Sequence, residues 1–509
     1  MINKKYIKKA IVSAIALGIV GYGAIVYTVH KEDVALANKR LTALPLRNID
    51  DLSAQAMRLL AEKGCADCHT RNSPLPFYAK VPGVKQTMQV DIDKANQSFE
   101  LAPVEQAVIH HQAVSQVALA KLEYVITNNS MPIPKYLAIH WPSAYLNNDD
   151  RQLLLDWIRH QRQQYYPNPT AAPQFKNLAI QPIHTVFKTD PAKVAIGLSL
   201  YNNIHLSANN KYACSSCHSI HTGGTDNLPT SLGINNLDDP MNAPTVYDSA
   251  FNMSQFWNGR AADLAAQAAG PIFNPVEMGS KDWGNIIAKL KQDPQLVKLF
   301  DNSYKDGMTG ANITNAIAEY EKTLITPNSR FDQYLEGNLS ALSPEEVEGF
   351  KLFLKTGCQT CHVGQSMGGQ SYEKMGVYNS FFGDIKGKHL EGDKGRYLVT
   401  HDKKDMHYFK VPNLRNIAIT GPYFSGGRAA TLSESVNAMA KYQCNTDFTP
   451  KETKAMVAYL KTLTGQYQGK TLTNPNCHDI NGQQVCNSAK DQVWKQVTGR
   501  KLPTETQLN

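Results

Sequence analysis

Cys65-Ala66-Asp67-Cys68-His69, Cys214-Ser215-Ser216-Cys217-His218 and Cys358-Gln359-Thr360-Cys361-His362 are three copies of one pattern, Cys-x-x-Cys-His. In this pattern both thiols form thioethers with the vinyl groups of a c-type haem, and the adjoining His supplies the proximal iron ligand. Zinc sites usually combine two Cys-x-x-Cys pairs, and a thioredoxin-like redox pair has no need of the following His each time. In a chain with nine Cys and fifteen His, three matches therefore read as three covalently attached haems c.

The motifs fall at near-equal intervals along 509 residues. Since one core seldom serves more than about 250–300 residues, the spacing reads as a repeated haem-domain unit. The patterning around the motifs is helical: residues 54–63 lead into the first, 194–204 into the second and 344–355 into the third. The last begins with Ser343-Pro344-Glu345-Glu346, an N-cap followed by proline and acids in the first turn. A helix feeding directly into each motif would set the thioethers at its C-terminal end. Long loops at 223–242 and 364–395 are expected to wrap the haem edges. The proline-bearing stretch 166–173 reads as a linker, and no convincing β-sheet pattern appears.

Half of the formal charge of +8 comes from Lys4, Lys5, Lys8 and Lys9, which precede the uncharged apolar run 10–29. That run is long enough to span a bilayer as a helix, with the lysines kept cytoplasmic. A cleaved signal peptide with a site at Ala35-Leu36-Ala37 is the competing reading. The run is longer than a usual signal core, and Lys31, Glu32 and Asp33 separate it from that site, so a retained anchor is favoured. No basic patch with interleaved aromatics suggests nucleic acid. The expected fold is mainly α: three cytochrome-c-like haem domains behind a single N-terminal transmembrane helix. Its parts are 1–37 (lysines, anchor and short linker), 38–166 (mono-haem domain), 167–184 (linker), 185–343 and 344–466 (second and third haem domains) and 467–509 (C-terminal extension). The body would lie in the periplasm, outside the cytoplasmic membrane, where disulfides persist. Cys477 and Cys486 flank a short polar loop and are expected to pair, leaving Cys444 free; pairing of Cys444 with either is the alternative.

An iron with two protein ligands transfers electrons, whereas one with an open position can activate peroxide or oxygen. In the first domain Met131, in Asn129-Ser130-Met131-Pro132, is the distal candidate. In the third, Met439 competes with Met367, Met375 and Met406, and spacing does not choose. In the second, Met278 lies about as far beyond His218 as Met131 does beyond His69. Its neighbour Glu277 offers a carboxylate that could move peroxide protons instead. The pattern alone leaves these two uses even.

Several long strings carry a resemblance: Gly223-Gly224-Thr225-Asp226-Asn227-Leu228-Pro229-Thr230, Gln255-Phe256-Trp257-Asn258-Gly259-Arg260, Asn274-Pro275-Val276-Glu277-Met278, Val411-Pro412-Asn413-Leu414-Arg415-Asn416 and Gly421-Pro422-Tyr423-Phe424. Over residues 185–465 the chain resembles the bacterial di-haem cytochrome c peroxidases. Asn129-Ser130-Met131-Pro132 with Tyr136 to His140-Trp141 is similar to the added domain of the membrane-anchored tri-haem members, which are quinol peroxidases. The resemblance implies reduction of hydrogen peroxide to water, with electrons from membrane quinol or a small cytochrome c. It assigns the peroxidatic haem to His218, acid–base work to Glu277 and a place beside peroxide to Gln267. It puts Trp257 between two haems and makes Met439 distal ligand of the high-potential haem held by His362. It also implies a calcium ion taking the Asn242 side chain and the carbonyls of Thr420 and Pro422. A homodimer is a further expectation, since di-haem relatives often dimerise.

Two positions depart from the family. Many members carry a His after Leu-Pro-Thr-Ser that blocks the peroxidatic iron until its partner haem is reduced. Here Ile234 stands there and cannot ligate, and His221 lies too close to His218 to swing across. The resting iron is therefore expected to be open or only water-bound. Ser425 stands where a His near the high-potential haem is common. Two rival readings are a tryptophan-modifying di-haem oxidase, which has Tyr where Met439 stands, and a pure electron-transfer cytochrome with Met278 on the second iron.

Overall fold

The computed structural model describes residues 4–71, 73–237, 241–480 and 483–486. The protein is mainly helical, and it divides into two compact units, Met1–Pro167 and Asn168–Asn509. The part of the extension after residue 486 lies outside the described residues.

In the first unit, the helix Lys4–Ala43 carries the apolar run and continues 14 residues beyond Val29 without a break. The expected linker at 30–37 is therefore helical. One helix among the described residues is long and apolar enough to cross a membrane, judged by length and composition. Ile11, Leu17 and Val20 on it are exposed, whereas Val26 and Val29 are buried. Helix Asp51–Glu62 starts where Asp50 accepts a bond from the Ser53 amide at 2.8 Å. It buries Ala56, Met57 and Leu60 against Leu154, Trp157 and Ile158 of helix Asn148–Tyr165. Trp157 is fully buried, and its ring N–H donates to Ser53 Oγ at 3.1 Å.

The second unit repeats one helix crossing. In Pro191–Tyr201, Gly197 meets Gly310–Glu321 so closely that a Cβ on it would lie 1.9 Å from the Ala316 carbonyl oxygen. In Pro344–Lys355, Gly349 meets Pro450–Lys461, and its Cβ would lie 2.0 Å from the Ala455 oxygen. In both cases the next contact is the Cβ of a tyrosine four residues on, Tyr320 or Tyr459. Each crossing seats a core, Ile196, Leu200 and Ile317 in one and Phe350, Phe353 and Leu460 in the other. Fully buried Arg415 ties segments together by pairing with Asp332 at 2.7 Å and donating to the carbonyls of Gln365 and Gln181.

Two expectations need correction. The second motif is not fed directly by a helix: Pro191–Tyr201 ends, Asn203 caps a short turn at Ile204–Leu206, and Ser207 Oγ accepts the amides of Lys211 and Tyr212 before Cys214. Strands also exist, as short antiparallel pairs that fix loops: Tyr372–Lys374 with Tyr408–Lys410, Gln466–Tyr467 with Lys470–Thr471, and Cys477–Ile480 with Gln483–Cys486. A disulfide joins Cys477 to Cys486 across the last pair, and Cys444 is free of disulfide.

Candidate active site

All three motif histidines are held the same way. The Nδ1 of His69 donates to the Phe99 carbonyl at 3.0 Å, that of His218 to Gly224 at 3.3 Å and that of His362 to Met367 at 3.0 Å. A carbonyl can only accept, so Nδ1 carries the proton and Nε2 is left with its lone pair toward a metal. Burial lowers the pKa of all three, that of His362 to about 4, which keeps the rings neutral. Glycines in the left-handed region, Gly64 (φ 70°) and Gly357 (φ 81°), turn the chain from the helix end into the first and third motifs.

Two cavities of the second unit adjoin haem motifs. One, of about 280 Å³, is lined by Cys358, Cys361, His362 and Met439, together with Met375, Trp257 and Lys410. The other, of about 600 Å³, is lined by Cys214, Cys217 and His218, and by Gln267, Glu277, Arg260 and Glu321. Met367 is excluded as a distal candidate, since its carbonyl holds His362 from the proximal side and its side chain lies in the core. Met375 lines the same cavity as Met439 but packs with Phe381 and Phe409 and accepts a bond from Gln443. Met439 projects from helix Leu432–Cys444. In the first unit, half-buried Met131 lies in the loop between helices Gln116–Thr127 and Pro134–Ala144.

An internal repeat explains why the cavities differ. Gly259-Arg260-Ala261-Ala262-Asp263-Leu264 and Gly427-Arg428-Ala429-Ala430-Thr431-Leu432 share five of six residues. Both hexapeptides close the same loop: Gln255 bridges to Ala261 and Tyr423 to Ala429, with Phe256 and Phe424 at φ 67° and 71°. Each is followed by a capped helix, Leu264–Phe273 after Asp263 and Leu432–Cys444 after Thr431. Aligned on this repeat, Met439 stands against Pro271, and both line their cavities. The second haem site thus has a ring without donor atoms where the third has a thioether sulfur. Trp257 aligns with Ser425 in the same way.

Met278 is a core residue, buried among Leu206, Ile272 and Leu290, though it also touches the larger cavity. Glu277 lines that cavity and accepts from Asn274 Nδ2 at 2.5 Å, on a turn where Ile234 N donates to the Glu277 carbonyl at 2.8 Å. Gly233 allows this contact, since a Cβ there would lie 1.9 Å from the Val276 oxygen. Ile234 is therefore part of the wall behind Glu277. Gln267 sits on the capped helix Leu264–Phe273.

Trp257 lines both cavities. Its ring N–H donates to the Asn242 carbonyl at 2.8 Å, and its own carbonyl accepts from Lys410 N at 2.8 Å. Asn242, Thr420 and Pro422 line the smaller cavity. Asn242 is fixed by Ser425 and Leu228, the latter taking its side-chain nitrogen at 2.7 Å, which leaves Oδ1 for a cation.

Sequence reasoning missed two buried titratable groups in the cavity walls. Lys410 lines the His362 cavity, and burial alone lowers its pKa to about 8; a lone buried cation there suits a group that brings carboxylates, as haem propionates would. Glu321 lines the His218 cavity with Oε2 buried and unbonded, and burial pushes its pKa up to about 8. Only periodicity could have placed them inside, and charged residues are read by default as solvated.

Thiol pairs, a neutral His and an adjoining cavity define a c-type haem protein whose second and third sites are unequal. A family model for di-haem cytochrome c peroxidase matches residues 191–340, one for a haem-binding domain residues 22–160, and one for cytochrome c residues 346–464. The cytochrome c peroxidase Ccp of Escherichia coli is 43% identical over 414 residues, covering 81% of this chain and 88% of that one. The cytochrome c551 peroxidase of Nitrosomonas europaea is 44% identical over 291 residues, 57% of this chain and 85% of its own. Among solved structures, a MauG-like protein associated with microbial copper homeostasis aligns with a TM-score of 0.50 at 27% identity, over 58% of this chain and 96% of its own. The chain belongs to the di-haem cytochrome c peroxidase family and is a haem peroxidase.

Proposed function

We propose that the protein reduces hydrogen peroxide to two waters with electrons from the membrane quinol pool, carried by three haems c in domains 38–166, 185–343 and 344–466. The reading rests most on the difference between the two cavities: Pro271 and Glu277 in one, Met439 in the other. Haem bound at Cys214, Cys217 and His218 would supply the redox chemistry of O–O cleavage. Glu277, held by Asn274, takes a proton from one peroxide oxygen and returns it to the other, so that water leaves. Gln267 orients the peroxide. Trp257, a wall of both cavities, is the link to the haem that His362 and Met439 would hold. His69 and Met131 would hold the haem that receives electrons first. Asn242, Thr420 and Pro422 would hold calcium, and Lys4–Ala43 would anchor the chain in the inner membrane with its haem domains in the periplasm.

A small cytochrome c is the alternative donor, and a homodimer the oligomer to look for. Met439 speaks against the tryptophan-modifying reading, and the burial of Met278 in the core against a ligand there. The test is Glu277→Gln. It should retain all three haems by absorbance and lose peroxide turnover by about a hundredfold or more. Turnover at the unaltered rate would remove Glu277 from this role.

A further inference from the structure

A buried His–Asp pair in the first unit has no part in peroxide chemistry. Both oxygens of Asp33, on the helix Lys4–Ala43, accept from His140 Nδ1, at 3.1 and 3.0 Å. His140 is 4% exposed and Asp33 9%. Because Nδ1 faces a carboxylate it carries the proton, and Nε2 is the acceptor, held at 3.1 Å by the Tyr78 hydroxyl. Tyr136 stacks on the His140 ring with centroids 3.9 Å apart, and its hydroxyl donates to Asp67 at 3.0 Å. Asp67 is the residue between Ala66 and Cys68 of the first haem motif, and it also pairs with Arg40. A continuous path of contacts thus runs from the His–Asp pair to the haem attachment site.

The location is the second observation. Helix Pro134–Ala144, which carries His140, lies along the end of the apolar helix: Tyr22 donates to the Ala138 carbonyl at 2.6 Å, and His30 meets Ser143 at 2.7 Å. Tyr22 is inside the apolar run 10–29. A segment bonded to it therefore sits at the depth of a bilayer's interface. Around the pair the surface is apolar. Val34, Phe77, Trp141 and Tyr145 are all exposed, and the first three are chain neighbours of Asp33, Tyr78 and His140.

We infer that this is the site where a quinol headgroup is oxidised, with His140 as its proton acceptor; the inference rests on the quinol reading above. A lipid-soluble two-electron, two-proton donor needs an apolar approach from the membrane, a base at its hydroxyl and an electron acceptor nearby. The quinol hydroxyl displaces Tyr78 from Nε2. One quinol O–H bond breaks as an N–H bond forms at Nε2, and the Asp33 carboxylate balances the imidazolium. The second hydroxyl proton leaves to water. The two electrons would leave one at a time through the haem that Cys65, Cys68 and His69 would hold and move on toward the other two, and hydrogen peroxide takes two electrons and two protons to give two waters. Asp33 is a positioning residue that fixes the tautomer and charge of His140.

The experiment follows reduction of the first haem in the intact chain in detergent, by stopped-flow absorbance, with a short-chain ubiquinol analogue. Wild type, H140Q and D33N are first checked for three haems and for reduction by dithionite. The inference expects rapid reduction of wild type, loss by about a hundredfold in H140Q, and in D33N a lower maximal rate with an unchanged KM for the quinol. An azidoquinone photolabel should attach to wild type within residues 134–145, a readout that does not depend on how the variants fold. Wild-type rates in both variants, or labelling elsewhere only, would overturn the site and leave the quinol reading standing. Failure of wild type to be reduced by the quinol would overturn both.

Discussion

Glu321 is a carboxyl with no charge partner in the wall of the larger cavity, and its pKa of about 8 follows from burial alone. Unfolded, the same group ionises near the ordinary carboxyl value of 4.5. Its folded pKa is raised, so its contribution to stability is complete below about pH 4.5 and is lost as pH rises through about 8. That loss is on the order of 5 kcal/mol at 1.36 kcal/mol per unit. Glu321→Gln should therefore flatten the fall of the melting temperature between pH 5 and pH 8 in the haem-loaded protein. An unchanged slope would mean that Glu321 is charged in the folded state. The residue also marks where sequence reading stopped. Glu277 was legible because its string is long and specific, whereas Glu321 sits in an ordinary amphipathic helix, and nothing local says that its face is covered.

At the scale of elements, the two glycine crossings decide how the haem domains close. Alanine is favoured over glycine in a helix by about 1 kcal/mol. At Gly349, however, a Cβ would lie 2.0 Å from a backbone oxygen that cannot rotate away. The clash outweighs propensity, and Gly349→Ala should destabilise by about 1–3 kcal/mol in denaturant titration. A neutral or stabilising result would mean that the helices are further apart than described. The helix before the third motif was legible from its Ser343 cap and acidic first turn, and it spans Pro344–Lys355. The interruption before Cys214 was not, because Asn202 and Asn203 are ambiguous between a helix end and a polar helical face. The Gly-Arg-Ala-Ala repeat was present in the sequence but unused. It is short and framed by unlike residues, and only the matching loop geometry showed that Pro271 and Met439 occupy one position.

At the scale of the whole molecule, three copies of one motif hold histidines in one tautomer, yet the second and third face cavities with different linings. Haem c attachment was legible from the motif alone. The proposed division of labour rests on what faces each cavity, which depends on contacts between residues far apart in the chain. If Ile234 only walls Glu277 and Pro271 replaces a ligand, the second iron has no distal protein ligand at rest, while Met131 and Met439 complete the other two. The most direct measurement is electron paramagnetic resonance of the fully oxidised intact protein, with and without cyanide. The account predicts one high-spin ferric haem, converted to low spin by cyanide, beside two low-spin haems that cyanide leaves unchanged. Three low-spin haems in the untreated protein would contradict it.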